Sequence, residues 1–206
     1  MKIKVCGLRD KSNVKELMEL SLDYMGFIFY SKSARYVGAD FDIEITKMIP
    51  LHIRKVGVFV NEAAEKILTL ANKYQLDAIQ LHGDESPEDC RLIKDSGIEV
   101  FKAFQLNEAF HFERLDAYHK VCDYFLFDTK SDSYGGSGKK FNWEILKKYK
   151  GETAFFLSGG IGIDDLEAVK AFQHSKLFGL DVNSGFEQSP AVKNVVLVEE
   201  FLKSVR

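Results

Sequence analysis

Tyr-Phe-Leu-Phe-Asp-Thr-Lys-Ser-Asp-Ser-Tyr-Gly-Gly-Ser-Gly-Lys-Lys-Phe-Asn-Trp, residues 124–143, holds three features in one stretch. Tyr124 to Phe127 is a short aromatic and apolar run that reads as a buried strand, and Asp128 ends it. A glycine loop follows, with Gly135, Gly136, Ser137 and Gly138. An acid at a strand end, next to backbone N–H groups that wrap an anion, predicts acid–base chemistry on a phosphorylated substrate.

Outward from this stretch, runs of similar character recur at 2–8, 24–30, 54–60, 78–82, 99–106, 154–157 and 177–182. With 124–128 they make eight predicted strands. Amphipathic segments lie between them, at 13–22, 43–49, 63–74, from Pro87 to near Gly97, and at 108–119, 143–149, 164–172 and 191–202. Ser12, Asn61 and Ser86 read as N-caps, Pro87 as a first-turn proline, and Asp164 or Asp165 as a first-turn acid. Eight strands alternating with helices, in a chain near the short end of the usual range of about 200 to 400 residues, predict a compact (β/α)8 barrel. An open doubly wound sheet is the alternative. The even strand count and the lack of Gly-x-Gly-x-x-Gly after the first strand weigh against it.

The chain has 206 residues, 46% of them hydrophobic, enough for one well-buried core, so residues 1–206 are read as one catalytic domain with no linker. A net charge of -3 and no long Lys/Arg run argue against nucleic acid as partner. No apolar stretch is long enough to span a bilayer, and the start runs straight into a strand, so a cytoplasmic location is expected. Cys6, Cys90 and Cys122 are too few and too scattered for a disulfide framework, and no Cys-x-x-Cys or paired His pattern points to a metal.

In a barrel the C-terminal strand ends converge on one face. Those ends read Cys6-Gly7-Leu8-Arg9, the segment from Tyr30 to Tyr36, Gln80-Leu81-His82-Gly83, Asp128, Ser158-Gly159-Gly160-Ile161 and Asp181-Val182-Asn183-Ser184-Gly185. Taken with Lys4-Val5-Cys6-Gly7-Leu8, Gly26 to Tyr30, Lys32 to Val37, Val56 to Asn61 and Phe127-Asp128 with Gly135 to Lys139, the set resembles the phosphoribosylanthranilate isomerase (TrpF) family. The resemblance runs in order from Lys4 to Lys193. The chain departs from that family's pattern at Ala34, where Pro is usual, and at Lys140, Asn142, Ser158, Ala191 and Asn194, all beside the matched positions.

The resemblance implies an Amadori rearrangement in tryptophan biosynthesis, with no metal or organic cofactor and a small phosphoribosyl substrate. Cys6 matches the general base and Asp128 the general acid. Arg35 matches the residue that holds the anthranilate carboxylate and is a candidate for the cation that favours the Cys6 thiolate. Asp181 is assigned a supporting contact. For the phosphate, Gly135, Gly136, Ser137, Gly138, Gly159, Gly160, Asn183, Ser184 and Gly185 are the expected donors.

Plainer readings stand beside these. Alone, Cys6 reads as a small core residue, Asp128 as a cap, Arg35 as a surface residue, and the glycines as a turn. His82 reads equally as a structural or a substrate-binding histidine. His52, His111, His119 and His174 read as solvated or structural, Cys90 and Cys122 as core. Two other functions fit part of the pattern: the related histidine-pathway isomerase, which has a carboxylate where Cys6 stands, and a catalytically silent phosphate-ligand binder. The oligomeric state, monomer or homodimer, is not readable from the chain.

Overall fold

The computed structural model describes residues 1–129 and 142–206. Gly135, Gly136, Ser137 and Gly138 therefore lie outside the described residues. Eight parallel strands close on themselves: β1 (Lys2–Val5), β2 (Tyr24–Ile28), β3 (Arg54–Phe59), β4 (Ala78–Leu81), β5 (Glu99–Leu106), β6 (Tyr124–Thr129), β7 (Ala154–Leu157) and β8 (Leu177–Val182). β8 returns to β1 with Asp181 opposite Lys4 and Val182 opposite Val5. The expected barrel is the observed one, and the open sheet is not.

Alternation along the strands sorts their side chains between two cores. Inside the ring, Tyr24, Val56, Ala78, Phe101, Ala103, Leu126 and Phe156 fill the floor. Outside it, Ile3, Met25, Phe27, Phe59, Ile79, Phe125, Phe127, Phe155 and Leu180 meet the helices. An aspartate just before each of three even strands ties the barrel floor. Asp23, Asp77 and Asp123 each accept from the backbone N–H of the preceding odd strand, at Ile3, Lys55 and Val100.

The helices are α1 (Lys11–Met18), α2 (Ile43–Lys47), α3 (Ala64–Tyr74), α4 (Pro87–Asp95), α5 (Leu166–Ala171) and α6 (Val195–Val205). α4 starts on a Ser86 capping box with Pro87 in its first turn as expected, and Gly97 follows its end in the left-handed region. Two cap assignments change. Asp10, not Ser12, caps α1, because the helix begins earlier at Lys11. Asn61 does not cap α3; it turns left-handed, and its side chain accepts from the Asp84 N–H, joining two loops at the barrel mouth.

The segments expected as helices at 108–119 and 143–149 are 3-10 turns, Phe112–Tyr118 and Trp143–Lys148. Their apolar residues, Phe112, Leu115 and Tyr118 in one and Trp143, Leu146 and Tyr149 in the other, fall every third position. Three residues per turn stacks them on one face, which 3.6 does not. The predicted helix at 191–202 starts later, at Val195 on an Asn194 cap, because β9 (Glu187–Ser189) and β10 (Val192–Lys193) form an antiparallel hairpin before it. No helix among the described residues is long and apolar enough to cross a membrane.

Candidate active site

The C-terminal strand ends surround a cleft at the barrel mouth, the usual place for a site in this fold. Cys6, His82, Asp128, Gly159, Gly160, Asp181, Asn183 and Ser184 of the sequence-derived set line it. Arg35 and Gly185 stand behind that lining.

Cys6 extends β1 and is buried. Two residues earlier on the same strand face, Lys4 is fully buried inside the barrel, and its Nζ lies 2.7 Å from Asp181 Oδ1. Cys6 is the next residue along that inner face, and the Lys4 ammonium and the sulfur act on each other electrostatically. The Cys6 thiol stands above its ordinary value: burial pushes it up most, against the pull of Lys4 and, more weakly, Lys193, while Asp181 adds to the rise. Burial also works against the Lys4 charge, but Asp181 and Cys6 outweigh it and hold the ammonium above its ordinary value. Gly26 on β2 makes the room for the sulfur: a Cβ there would stand 2.7 Å from Cys6 Sγ.

Arg35 is not the cation on the thiol. Its guanidinium forks onto Glu187, with Nε 2.8 Å from Oε1 and Nη2 2.7 Å from Oε2, and its side chain is only 14% exposed. The surface reading of Arg35 fails for that reason. The loop carrying it is held without the usual proline at position 34, through Ser33 N–H to Tyr30 O, Tyr36 N–H to Ser33 O and Val37 N–H to Ile28 O. The Arg35 stem and the Asn183 side chain both press on Gly7, where a Cβ would come within 2.7 Å of each. Glu187 also takes Lys193 Nζ at 2.6 Å, and Lys193 reaches Asn183 Oδ1 at 2.6 Å. Burial draws the Lys193 ammonium down against the pull of Glu187.

Across the cleft, His82 Nε2 lies 3.4 Å from Asp128 Oδ2. His82 Nδ1 is 2.8 Å from Gln80 Nε2. The amide N–H donates in that pair, which assigns Nδ1 as acceptor and puts the imidazole proton on Nε2, which lies near Asp128 without making a hydrogen bond to it. Turning the Gln80 amide over would bury two unpaired N–H groups in place of one unpaired carbonyl. The loop bearing His82 is pinned from behind by the buried Lys102–Glu85 pair at 3.2 Å, with Glu85 accepting from Asn61 and Gly83 N–H.

After β7, Gly159 and Gly160 take φ +99 and +73, successive left-handed residues that any side chain would strain. Their peptides line the cleft beside Asn183 and Ser184. Gly185 has a packing role instead: a Cβ would meet Ile161 O at 2.3 Å, so it brings the loop after β8 against the loop after β7. His52 and His111 are exposed. His119 and His174 are tied to Thr153 and Tyr149, and Cys90 and Cys122 are buried free thiols.

Sequence reading passed over Lys4, Gln80, Glu187 and Lys193. For two of these a signal was present: Lys4 and Gln80 lie two positions before Cys6 and His82, hence on the same strand face. No comparable signal marks Glu187 and Lys193, which a hairpin carries back to the mouth.

A closed barrel that gathers a thiol, a carboxylate and paired glycine turns at its strand ends is a (β/α)8-barrel enzyme of the acid–base kind. The family model described as N-(5'phosphoribosyl)anthranilate (PRA) isomerase matches residues 3–204. An N-(5'-phosphoribosyl)anthranilate isomerase of Parabacteroides distasonis is 44% identical over 206 residues, covering 100% of this chain and 93% of that one. Among solved structures, the phosphoribosyl anthranilate isomerase from Thermus thermophilus superposes with a TM-score of 0.87 at 28% identity, covering 100% of both chains. Another such isomerase, in complex with reduced 1-(o-carboxyphenylamino)-1-deoxyribulose 5-phosphate, gives 0.85 at 32% identity, covering 100% of this chain and 98% of that one. The chain belongs to the N-(5'-phosphoribosyl)anthranilate isomerase family.

Proposed function

We propose that Cys6 is the general base and Asp128 the general acid of this isomerase. Family membership gives the reaction: N-(5'-phosphoribosyl)anthranilate becomes 1-(2-carboxyphenylamino)-1-deoxyribulose 5-phosphate, an Amadori rearrangement in tryptophan biosynthesis. Protonated Asp128 gives its proton to the furanose ring oxygen as the C1–O bond breaks, and the anthranilate nitrogen lone pair forms the iminium. Cys6 thiolate then takes the C2 proton, and that electron pair closes the enolamine and neutralises the iminium. Tautomerisation moves a proton to C1 and leaves the C2 ketone. His82 Nε2, 3.4 Å from Asp128 Oδ2, is placed to stabilise the negative charge that develops there as its proton leaves.

One observation supports this reading above the others. The thiol of β1 and the carboxylate of β6 line the same cleft, beside the Gly159–Gly160 and Asn183–Ser184 turns. The histidine-pathway enzyme would need a carboxylate at position 6. Arg35 is read as the anthranilate anchor, Asp181 as a supporting contact, and the backbone of Gly159, Gly160 and Ser184 with Asn183 as phosphate donors. Gly135, Gly136, Ser137 and Gly138 complete that set by resemblance. All these positions come from one chain, so 1–206 is inferred to act as one catalytic domain, as monomer or homodimer. Three free cysteines suit a reducing compartment, and the cytoplasm is the location proposed.

The test is conversion of enzymatically generated phosphoribosylanthranilate, followed by loss of anthranilate-type fluorescence. Cys6→Ser and Asp128→Asn are each expected to lower kcat by at least about 100-fold with the fold retained, the usual worth of a general acid or base. Turnover that survives either substitution removes that residue's role.

A further inference from the structure

We propose that Lys4 is a positioning residue for this reaction: its buried ammonium, locked to Asp181 across the β1–β8 seam and two residues along the inner strand face from Cys6, favours the Cys6 thiolate against burial. The inference rests on Cys6 being the base.

Packing does not explain a lysine here. Lys4 is 0% exposed inside a ring whose interior positions are normally filled by branched apolar side chains. Lysine is almost never fully buried unless paired, and replacing a buried ion pair by well-packed apolar residues is often neutral or stabilising. Its charge therefore answers to something other than stability, and besides its partner Asp181 the group it acts on is the catalytic sulfur, next along the same strand face.

The arrangement follows from register. Lys4 and Cys6 are two apart on β1 and share its inner face; Asp181 is the direct β8 neighbour of Lys4. Ser158 Oγ, 3.4 Å from Asp181 Oδ2, braces the carboxylate's other oxygen. Gly26 gives the sulfur its place above the ammonium. The charged groups acting on the sulfur are Lys4 from its own strand, Asp181 from β8 and Lys193 from β10, while His82 and Asp128 line the same cleft from the β4 and β6 ends. Lys4 and Lys193 favour the thiolate and Asp181 opposes it, yet Asp181 is what keeps Lys4 charged against burial. Lys4 neither gives nor takes a proton in the cycle. The proton Cys6 loses on forming the thiolate leaves through the open cleft, and the one it later gains is the substrate's.

The test is the pH dependence of iodoacetamide alkylation at Cys6, read on the Cys6 peptide by mass spectrometry so that Cys90 and Cys122 do not contribute. Lys4→Met is expected to raise the alkylation midpoint by about one pH unit or more, the effect of removing an opposite charge at contact distance. Its kcat should fall while KM holds. The charge-balanced Lys4→Met/Asp181→Asn leaves no unpaired buried charge, and decides the matter if the single variant does not fold. Its midpoint should also rise, by less. An unchanged midpoint in the folded variant overturns the proposal while the base assignment stands. Undiminished turnover by Cys6→Ser removes the base and the proposal with it.

Discussion

Glu187 carries more of the site than any residue picked out from sequence. Its one carboxylate takes Arg35 on two nitrogens, Lys193, and the Ala191 N–H. Burial works to raise its pKa, but the hydrogen bonds and charges of Arg35 and Lys193 overcome it and hold the carboxyl below its ordinary value. A lowered folded pKa contributes stability that is present above the unfolded value of about 4.3 and lost as pH falls through the folded one. Glu187→Gln is therefore expected to lower Tm at pH 7, with the deficit closing on acidification. Released from its fork, Arg35 should hold the substrate carboxylate less well. A rise in KM of about tenfold is expected from the loss of one charge-assisted hydrogen bond of about 1.5 kcal/mol. Thermal melts from pH 7 to 3 and steady-state kinetics check both effects.

At the scale of elements, the β9–β10 hairpin holds the one family departure that shows strain. Ala191, where glycine is usual, sits at φ +68 and is 1% exposed. A left-handed alanine costs about 1–2 kcal/mol, and glycine returns part of that as unfolded-chain entropy. Ala191→Gly is expected to gain up to about 1 kcal/mol, read as a raised Tm, with kcat unchanged. Two further departures, Asn142 and Asn194, each cap the turn or helix that follows. This hairpin was hidden from sequence reading because Glu187 to Lys193 has no apolar alternation, only Pro190 to mark a turn. The eight barrel strands were legible because burial on both faces gives each an apolar run with a polar end, as in Tyr124 to Asp128. Helical segments were placed well and typed less well, since a three-residue spacing such as Phe112, Leu115 and Tyr118 looks helical until the turn is seen.

Across the whole molecule, the mouth carries chemistry and the floor carries stability. At the floor, Glu99 sits 3.5 Å from Arg54, with its Oε1 and the Arg54 Nε both buried and unpaired. Burial pushes the Glu99 carboxyl up, with Asp77 and Asp123 adding to it against Arg54. A raised folded pKa means stability that is complete below the unfolded value and lost as pH rises through the folded one, about 1.4 kcal/mol for each pH unit between them. Glu99→Gln is expected to raise Tm at pH 7, with the gain vanishing below about pH 4 and turnover untouched. Sequence pointed to Cys6 and Asp128, the proposed catalytic pair, because they stand at strand ends. It hid the groups that tune them, because a lysine in a first strand reads as solvent-facing until the ring closes around it. The Lys4–Asp181 tie spans 177 positions, nearly the whole chain. A polypeptide emerging from the ribosome thus carries Cys6 as an ordinary thiol until its last strand arrives. Arming of the sulfur and completion of the fold are one event, and a chain cut short before Asp181 has no route to an active base.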